Sequence, residues 1–134
     1  MKVLIVGGVA GGASAATRLR RLDEKAHIIL FEKGPYISYA NCGLPYYIGG
    51  EIKERENLLV TKPALLRGRF GIDVRTDSEV VSIDRRAKTV AVQNHQTEET
   101  YTESYDKLLL SPGASPKKPD WEGVNLPGTF TIRK

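Results

Sequence analysis

The stretch SYANCGLPYY, residues 38–47, holds the only cysteine of the chain, with Asn41 before it, Gly43 after it and Pro45 close behind. Glycine and proline at that spacing specify a turn in place of a packed core, so the Cys42 thiol is expected at an accessible bend. A thiolate is the species that attacks disulfides and persulfides, and it needs a lowered pKa and partial access. Asn41 can donate a hydrogen bond near the sulfur without adding a charge that repels a thiolate. The plainer alternative is a buried, inert cysteine.

A second constellation precedes it. Gly7, Gly8, Val9, Ala10, Gly11 and Gly12 form the turn GGVAGG directly after the apolar run KVLIV. The spacing Gly7 to Gly12 is that of a dinucleotide fingerprint, with Val9 where the middle glycine usually stands. Gly7 would make the tight turn and Gly12 would let a helix pack closely on the strand. Val9 puts a side chain where the backbone should approach a pyrophosphate, although Ala10 and Gly11 keep the rest of the turn small. Glu32 lies about twenty residues beyond Gly12, where a carboxylate can accept both ribose hydroxyls of an adenosine. A glycine turn and a strand-capping glutamate without a ligand remain the alternative, and the motif by itself does not separate NAD from FAD.

A third set lies on the next segment. Ser14, Arg18 and Arg21 are spaced i, i+4, i+7 and share one helical face, while Ala15, Ala16, Leu19 and Leu22 fall on the packing side. Two guanidiniums in a row can clamp phosphates, and a solvated basic face is the competing explanation.

These residues need elements to position them. Residues 2–6 read as a buried parallel strand, 12–24 as a helix and 27–32 as a second strand, which makes a right-handed βαβ unit. Residues 50–71 look helical but interrupted, with Pro63 in a first turn. The period then switches to two, and VRTDSEVVSID, KTVAVQ, TYTESYD and KLLLS read as strands of an antiparallel meander that leads back into the parallel sheet. The expected fold class is therefore α/β, a Rossmann-like domain with a crossover helix and a β-meander. The end of the chain carries four of its seven prolines and little periodicity. The expected organisation is residues 1–115 as the dinucleotide-binding part with the cysteine, and 116–134 as an exit linker.

Composition limits the function classes. The chain has 134 residues, of which 40% are hydrophobic, enough for one domain with a core. One cysteine allows no internal disulfide, and no Cys/His cluster has metal-ligand spacing, so a cytoplasmic, metal-free protein is the expectation. Neither a secretory h-region nor a run long enough to span a membrane is visible. The net charge of +4 comes from 20 basic and 16 acidic residues, which suits an anionic ligand but gives no nucleic-acid signature.

The order GGVAGG, FEK, SYANCGLPYY, meander and LLLSPGA resembles the FAD-dependent pyridine nucleotide-disulfide oxidoreductases. The resemblance is to their single-cysteine branch, the coenzyme A-disulfide reductases and NADH-dependent persulfide or polysulfide reductases. It implies that Cys42 alternates between a thiolate and a mixed disulfide with coenzyme A beside the flavin, with Asn41 next to it. The two-cysteine branch does not fit, since Gly43 to Tyr47 hold no second sulfur. The NADH oxidases and peroxidases of the family usually show serine before the cysteine, where this chain has Asn41. The resemblance further implies FAD contacts at the glycine turn, at Glu32 and Lys33, at Asn41, at the Val81 backbone, and at Ser111, Pro112 and Gly113. Ser14, Arg18, Arg21, Ser38 and Asn41 would meet coenzyme A disulfide or persulfide.

By the same resemblance, NADH or NADPH would bind in a separate domain and the full-length enzyme would be a homodimer. The chain then looks like an N-terminal fragment. Family members run to several hundred residues and carry a second FAD segment and a dimerisation domain. An NADH oxidase or peroxidase, a non-catalytic dinucleotide-binding module and a small NAD-dependent dehydrogenase are the other readings, although the last leaves Cys42 and Asn41 without a purpose. Tyr46 and Tyr47 are expected to pack, and His27 and His95 are given no role.

Overall fold

A computed structural model describes residues 1–133. In chain order the elements are β1 (Lys2–Val6), α1 (Gly11–Leu22), β2 (His27–Phe31), α2 (Leu44–Ile48), α3 (Pro63–Phe70), β3 (Asp73–Arg75), β4 (Ser78–Asp84), β5 (Thr89–Asn94), β6 (Thr100–Ser104) and β7 (Lys107–Leu110). Two 3-10 turns, Asn41–Gly43 and Arg55–Leu58, flank α2. A four-stranded parallel sheet runs in the order β3-β2-β1-β7, and β4-β5-β6 form a separate antiparallel sheet.

The apolar runs of β1 and β2 serve both faces of the parallel sheet, as expected of a sheet covered on two sides. Val3, Ile5, Ile28 and Leu30 point to the helical layer and pack with Ala16, Leu66, Ile72 and Val74. Leu4, Ile29 and Phe31 point the other way and pack on Val90 and Val92 of the meander. A third cluster joins Tyr39, Leu44 and Leu58, with Val9 against it.

The meander is held to the sheet by polar contacts as well. Arg75 at the end of β3 donates hydrogen bonds to Asp73, to the Tyr101 hydroxyl at 3.1 Å and to Glu103 Oε2 at 2.8 Å. Its guanidinium lies over both the Phe31 and Tyr101 rings, and Lys2 Nζ pairs with Glu103 from β1. Burial opposes the Arg75 charge, but the bonds to Asp73, Tyr101 and Glu103 outweigh it and hold the pKa above the usual arginine value. Partial burial likewise works against the Glu103 carboxylate, yet Lys2 and Arg75 keep its pKa below the usual range.

Several expected boundaries differ. The interrupted helix of 50–71 resolves into a 3-10 turn and α3; Gly50 at φ +81° leaves the helical region, and residues 51–54 stay irregular. Pro63 does start α3. The run VRTDSEVVSID breaks at Asp77, whose φ is +51°, so its first part becomes the parallel edge strand β3 and only its second part joins the meander. The five-residue α2 is too short to show a helical period. Residues 111–133 contain no helix or strand. The last residue of the expected linker, Lys134, lies outside the described residues. No helix among the described residues is long and apolar enough to cross a membrane.

Candidate functional site

A cavity of about 850 Å³ opens along the carboxyl ends of β1, β2 and β7, the place where open α/β sheets take ligands. Its wall includes Gly7, Val9, Ala10 and Gly11 of the glycine turn, Glu32 and Lys33 after β2, Asn41 of the cysteine loop, and Ser111, Pro112 and Gly113 after β7. Ser78, Glu79 and Val80 close it on the meander side.

The turn is shaped by what cannot be added to it. Gly7 adopts φ +95°, and a Cβ there would meet the Ser111 carbonyl oxygen at 2.0 Å; a Cβ on Gly12 would meet the Gly7 carbonyl oxygen at 1.8 Å. Ser111 completes the seam, its N–H donating to Val6 O at 2.8 Å and its hydroxyl lying 3.2 Å from Gly7 O. The α1 N-terminus has no side-chain cap, so its first N–H groups stay open to a ligand beside the exposed Gly11. Val9 does not fill this space alone, because its side chain also packs on the Tyr39–Leu44–Leu58 cluster.

Glu32 is buried, at 8% exposure, and does more than its position implied. Its Oε2 accepts the Gly8 N–H at 2.9 Å and its Oε1 accepts the Gly34 N–H at 2.9 Å, so the carboxylate ties the glycine turn to the loop after β2. A carboxylate offers about four lone-pair sites, which leaves room for two hydroxyls.

The cysteine loop is sewn to the same turn. Ser38, at φ +49°, donates its N–H to Gly8 O at 2.9 Å; Val60 N–H bonds back to Ser38 O at 3.0 Å, and Ala40 N–H to Leu58 O at 2.8 Å. Cys42 sits in the Asn41–Gly43 turn and is exposed, as its neighbours suggested. Asn41 is in the cavity wall, whereas Cys42 itself is not.

Other singled-out residues lie apart from the wall. Gly8 and Gly12 are buried beneath the turn. Val81 is the bulged residue between Val80 and Ser82 and is exposed, with Val80 in the wall instead. Ser14, Arg18 and Arg21 are exposed along α1, and Leu22, expected on the packing side, is exposed too because it ends the last turn of the helix. Between them, Arg20 spends its guanidinium on carbonyls at the C-terminal ends of α1 and α3, including Phe70 O at 2.7 Å and Gly71 O at 3.0 Å. Arg18 and Arg21 make no hydrogen bond or ion pair among the described residues.

Several wall residues were not evident in the sequence: Tyr36, Tyr39, Arg55, Glu79 and Arg133. Arg133 reaches the wall from the irregular C-terminal segment and lies against Gly113. No motif spacing announces any of them. A smaller cavity of about 340 Å³ within residues 118–131 holds none of the site residues. Among the described residues no group of three His, Cys, Asp or Glu could hold a metal ion.

The model of a family described as pyridine nucleotide-disulphide oxidoreductase matches residues 1–134. A coenzyme A disulfide reductase of Staphylococcus epidermidis is 51% identical over 114 residues, covering 85% of this chain and 26% of that protein. The solved structure of the reduced CoADR-RHD of Bacillus anthracis is 57% identical with a TM-score of 0.87, over 89% of this chain and 21% of that one. A NAD-dependent persulfide reductase from A. fulgidus is 39% identical with a TM-score of 0.87, over 93% of this chain and 24% of its own. The chain spans about a quarter of the length of the curated relatives it matches.

Proposed function

As the chain belongs to the pyridine nucleotide-disulphide oxidoreductase family, we propose that it carries the FAD site and redox cysteine of an NAD(P)H-dependent reductase of coenzyme A disulfide or persulfide. The observation that carries the reading is the cysteine loop. It exposes Cys42, puts the adjacent Asn41 in the wall of the dinucleotide cavity, and hydrogen-bonds directly to the glycine turn.

The residues present fit FAD. Gly7 and Gly12 let the turn close on Ser111 and on the start of α1, the α1 N-terminus is uncapped, Val9 turns part of its side chain toward the Tyr39 cluster, and Glu32 keeps acceptor capacity for a ribose. The volume is that of a small-molecule site. When bound, FAD supplies at the cavity the electron pair that NAD(P)H provides.

The chain's own part is thiol chemistry. The Cys42 thiolate attacks one sulfur of the disulfide, forms a Cys42 mixed disulfide and expels the other half as a thiolate, which takes a proton. Two electrons then break the mixed disulfide, releasing the second thiol and returning Cys42 to its thiolate. The net change is one disulfide, one NAD(P)H and one proton converted to two thiols and NAD(P)⁺. Asn41 orients groups at the meeting point of loop and cavity. The Ser14, Arg18, Arg21 stripe would hold the nucleotide part of coenzyme A, whose phosphates match guanidiniums that have no partner among the described residues, and Ser38 would lie near the pantetheine arm.

A homodimer and a cytoplasmic location belong to the same proposal. Tyr46, expected to pack, is exposed beside Ile48 on α2 and supports the first, and the lone thiol supports the second. Cys42→Ser tests the assignment. In the full-length enzyme the variant should keep the fold and take up flavin while losing coenzyme A disulfide reduction. A serine variant that still reduces the disulfide would remove Cys42 from the chemistry.

A further inference from the structure

Three cations stand in the cavity wall, Lys33, Arg55 and Arg133, and Arg55 is the one held in place by an aromatic side chain. Its guanidinium carbon lies 4.9 Å from the Tyr36 ring centroid, and Nη1–H donates to the Tyr36 hydroxyl at 3.0 Å. Tyr36 is braced in turn by stacking on Tyr39, with centroids 6.2 Å apart. Orientation thus comes from neutral partners. The two wall carboxylates are otherwise engaged, Glu32 with two backbone N–H groups and Glu79 with His95 at 2.9 Å. Glu54 and Glu56 flank Arg55 in sequence but form no ion pair with it.

A guanidinium with one of its five donors used and its charge unmatched presents a planar fork suited to an anion with two acceptor oxygens on one centre, as a phosphate has. The Tyr36 hydrogen bond favours the charged form of Arg55 further. The 3-10 turn that carries Arg55 is anchored by the buried Leu58, whose carbonyl accepts the Ala40 N–H of the cysteine loop. A ligand gripped by Arg55 is therefore registered against the same loop that presents Cys42.

We infer that Arg55, steadied by Tyr36, is a phosphate-binding residue of this cavity. The inference rests on the cofactor and substrate reading above and extends it to a residue outside the glycine turn and the α1 stripe. Phosphate reaches the site from two sources, the pyrophosphate of FAD and the phosphates of coenzyme A, and the test separates them.

The test uses the full chain, with FAD binding followed by flavin fluorescence and coenzyme A binding by calorimetry, at low and at high salt. Pantetheine serves as the phosphate-free counterpart of coenzyme A. Arg55→Gln should weaken one phosphate-bearing ligand by about fivefold or more at low salt, with the difference shrinking as salt screens the exposed contact. Arg55→Lys should retain part of the affinity, and Tyr36→Phe, which keeps the ring but removes the hydroxyl, should fall between wild type and Arg55→Gln. Loss of FAD affinity assigns the dinucleotide pyrophosphate; loss of coenzyme A but not pantetheine affinity assigns the substrate phosphates. Unchanged binding of both ligands overturns the role of Arg55, as does a loss independent of salt and shared by pantetheine. A wild-type chain that binds neither FAD nor coenzyme A overturns the cofactor reading together with it.

Discussion

Glu32 has one job in this structure and a second in the proposed FAD site, and substitution separates them. In the free protein its carboxylate is the partner of the Gly8 and Gly34 N–H groups, both on buried residues. Leaving a buried donor unpaired costs about 1–3 kcal/mol, so Glu32→Ala should lose about 2–6 kcal/mol before any ligand is added. Against a typical domain stability of about 5–15 kcal/mol that is severe. Glu32→Gln is milder, because the amide oxygen keeps one N–H while the NH₂ faces the other donor, a loss of about 1–3 kcal/mol. Urea unfolding of the flavin-free protein reads this first job as a shift in midpoint.

The second job is read on the folded glutamine variant by flavin titration. Each hydroxyl bond to a charged acceptor is worth about 1.5–3 kcal/mol and to a neutral one about 0.5–1.5, so FAD should bind roughly tenfold more weakly for each ribose hydroxyl that Glu32 accepts. Unchanged midpoints in both variants would show that the turn does not hang on this carboxylate. An unchanged FAD affinity in Glu32→Gln would show that the ribose sits elsewhere.

Replacing both Arg18 and Arg21 by alanine should raise KM for coenzyme A disulfide about tenfold in the active enzyme and change reduction of a small, phosphate-free disulfide little. Arg20→Ala should instead lower the unfolding midpoint, since its bonds join α1 to the end of α3; equal effects on both substrates in the double variant would make the stripe structural. Glu103 contributes to acid stability. Its folded pKa lies below its unfolded value of about 4.3, so its contribution is present above that pH and is lost as pH falls through the folded value. Glu103→Gln should therefore be less stable than wild type near neutrality, and the gap should close below about pH 4 in urea melts; a gap independent of pH would rule out the ion pairs with Lys2 and Arg75 as its origin.

The parts legible in the sequence are those that depend on short-range rules. An apolar run ending in glycines gives β1 and the turn because backbone must approach backbone there, as the 1.8 and 2.0 Å Cβ contacts at Gly12 and Gly7 make plain. Cys42 was placed at an exposed bend by its glycine and proline neighbours, and the bend is there. The strand count of the meander was less legible, because VRTDSEVVSID keeps a period of two across a break that a single positive φ at Asp77 creates. Helical spacing puts Arg18 and Arg21 on one face, but it says nothing of Arg20, whose acceptors lie fifty residues on at Phe70 and Gly71.

Arg55 was the least legible residue, and the reason is physical. It reaches the cavity through a stack on Tyr36 and a turn pinned by Leu58, contacts between segments about twenty residues apart that no local pattern encodes. The signal that does exist is indirect. An arginine between two glutamates, Glu54 and Glu56, would ordinarily be assigned to them, yet the turn directs it to a neutral phenol. The sequence motif thus supplies the floor and one end of the cavity, while the wall that carries Arg55 is assembled by packing the cysteine loop against the turn that follows it.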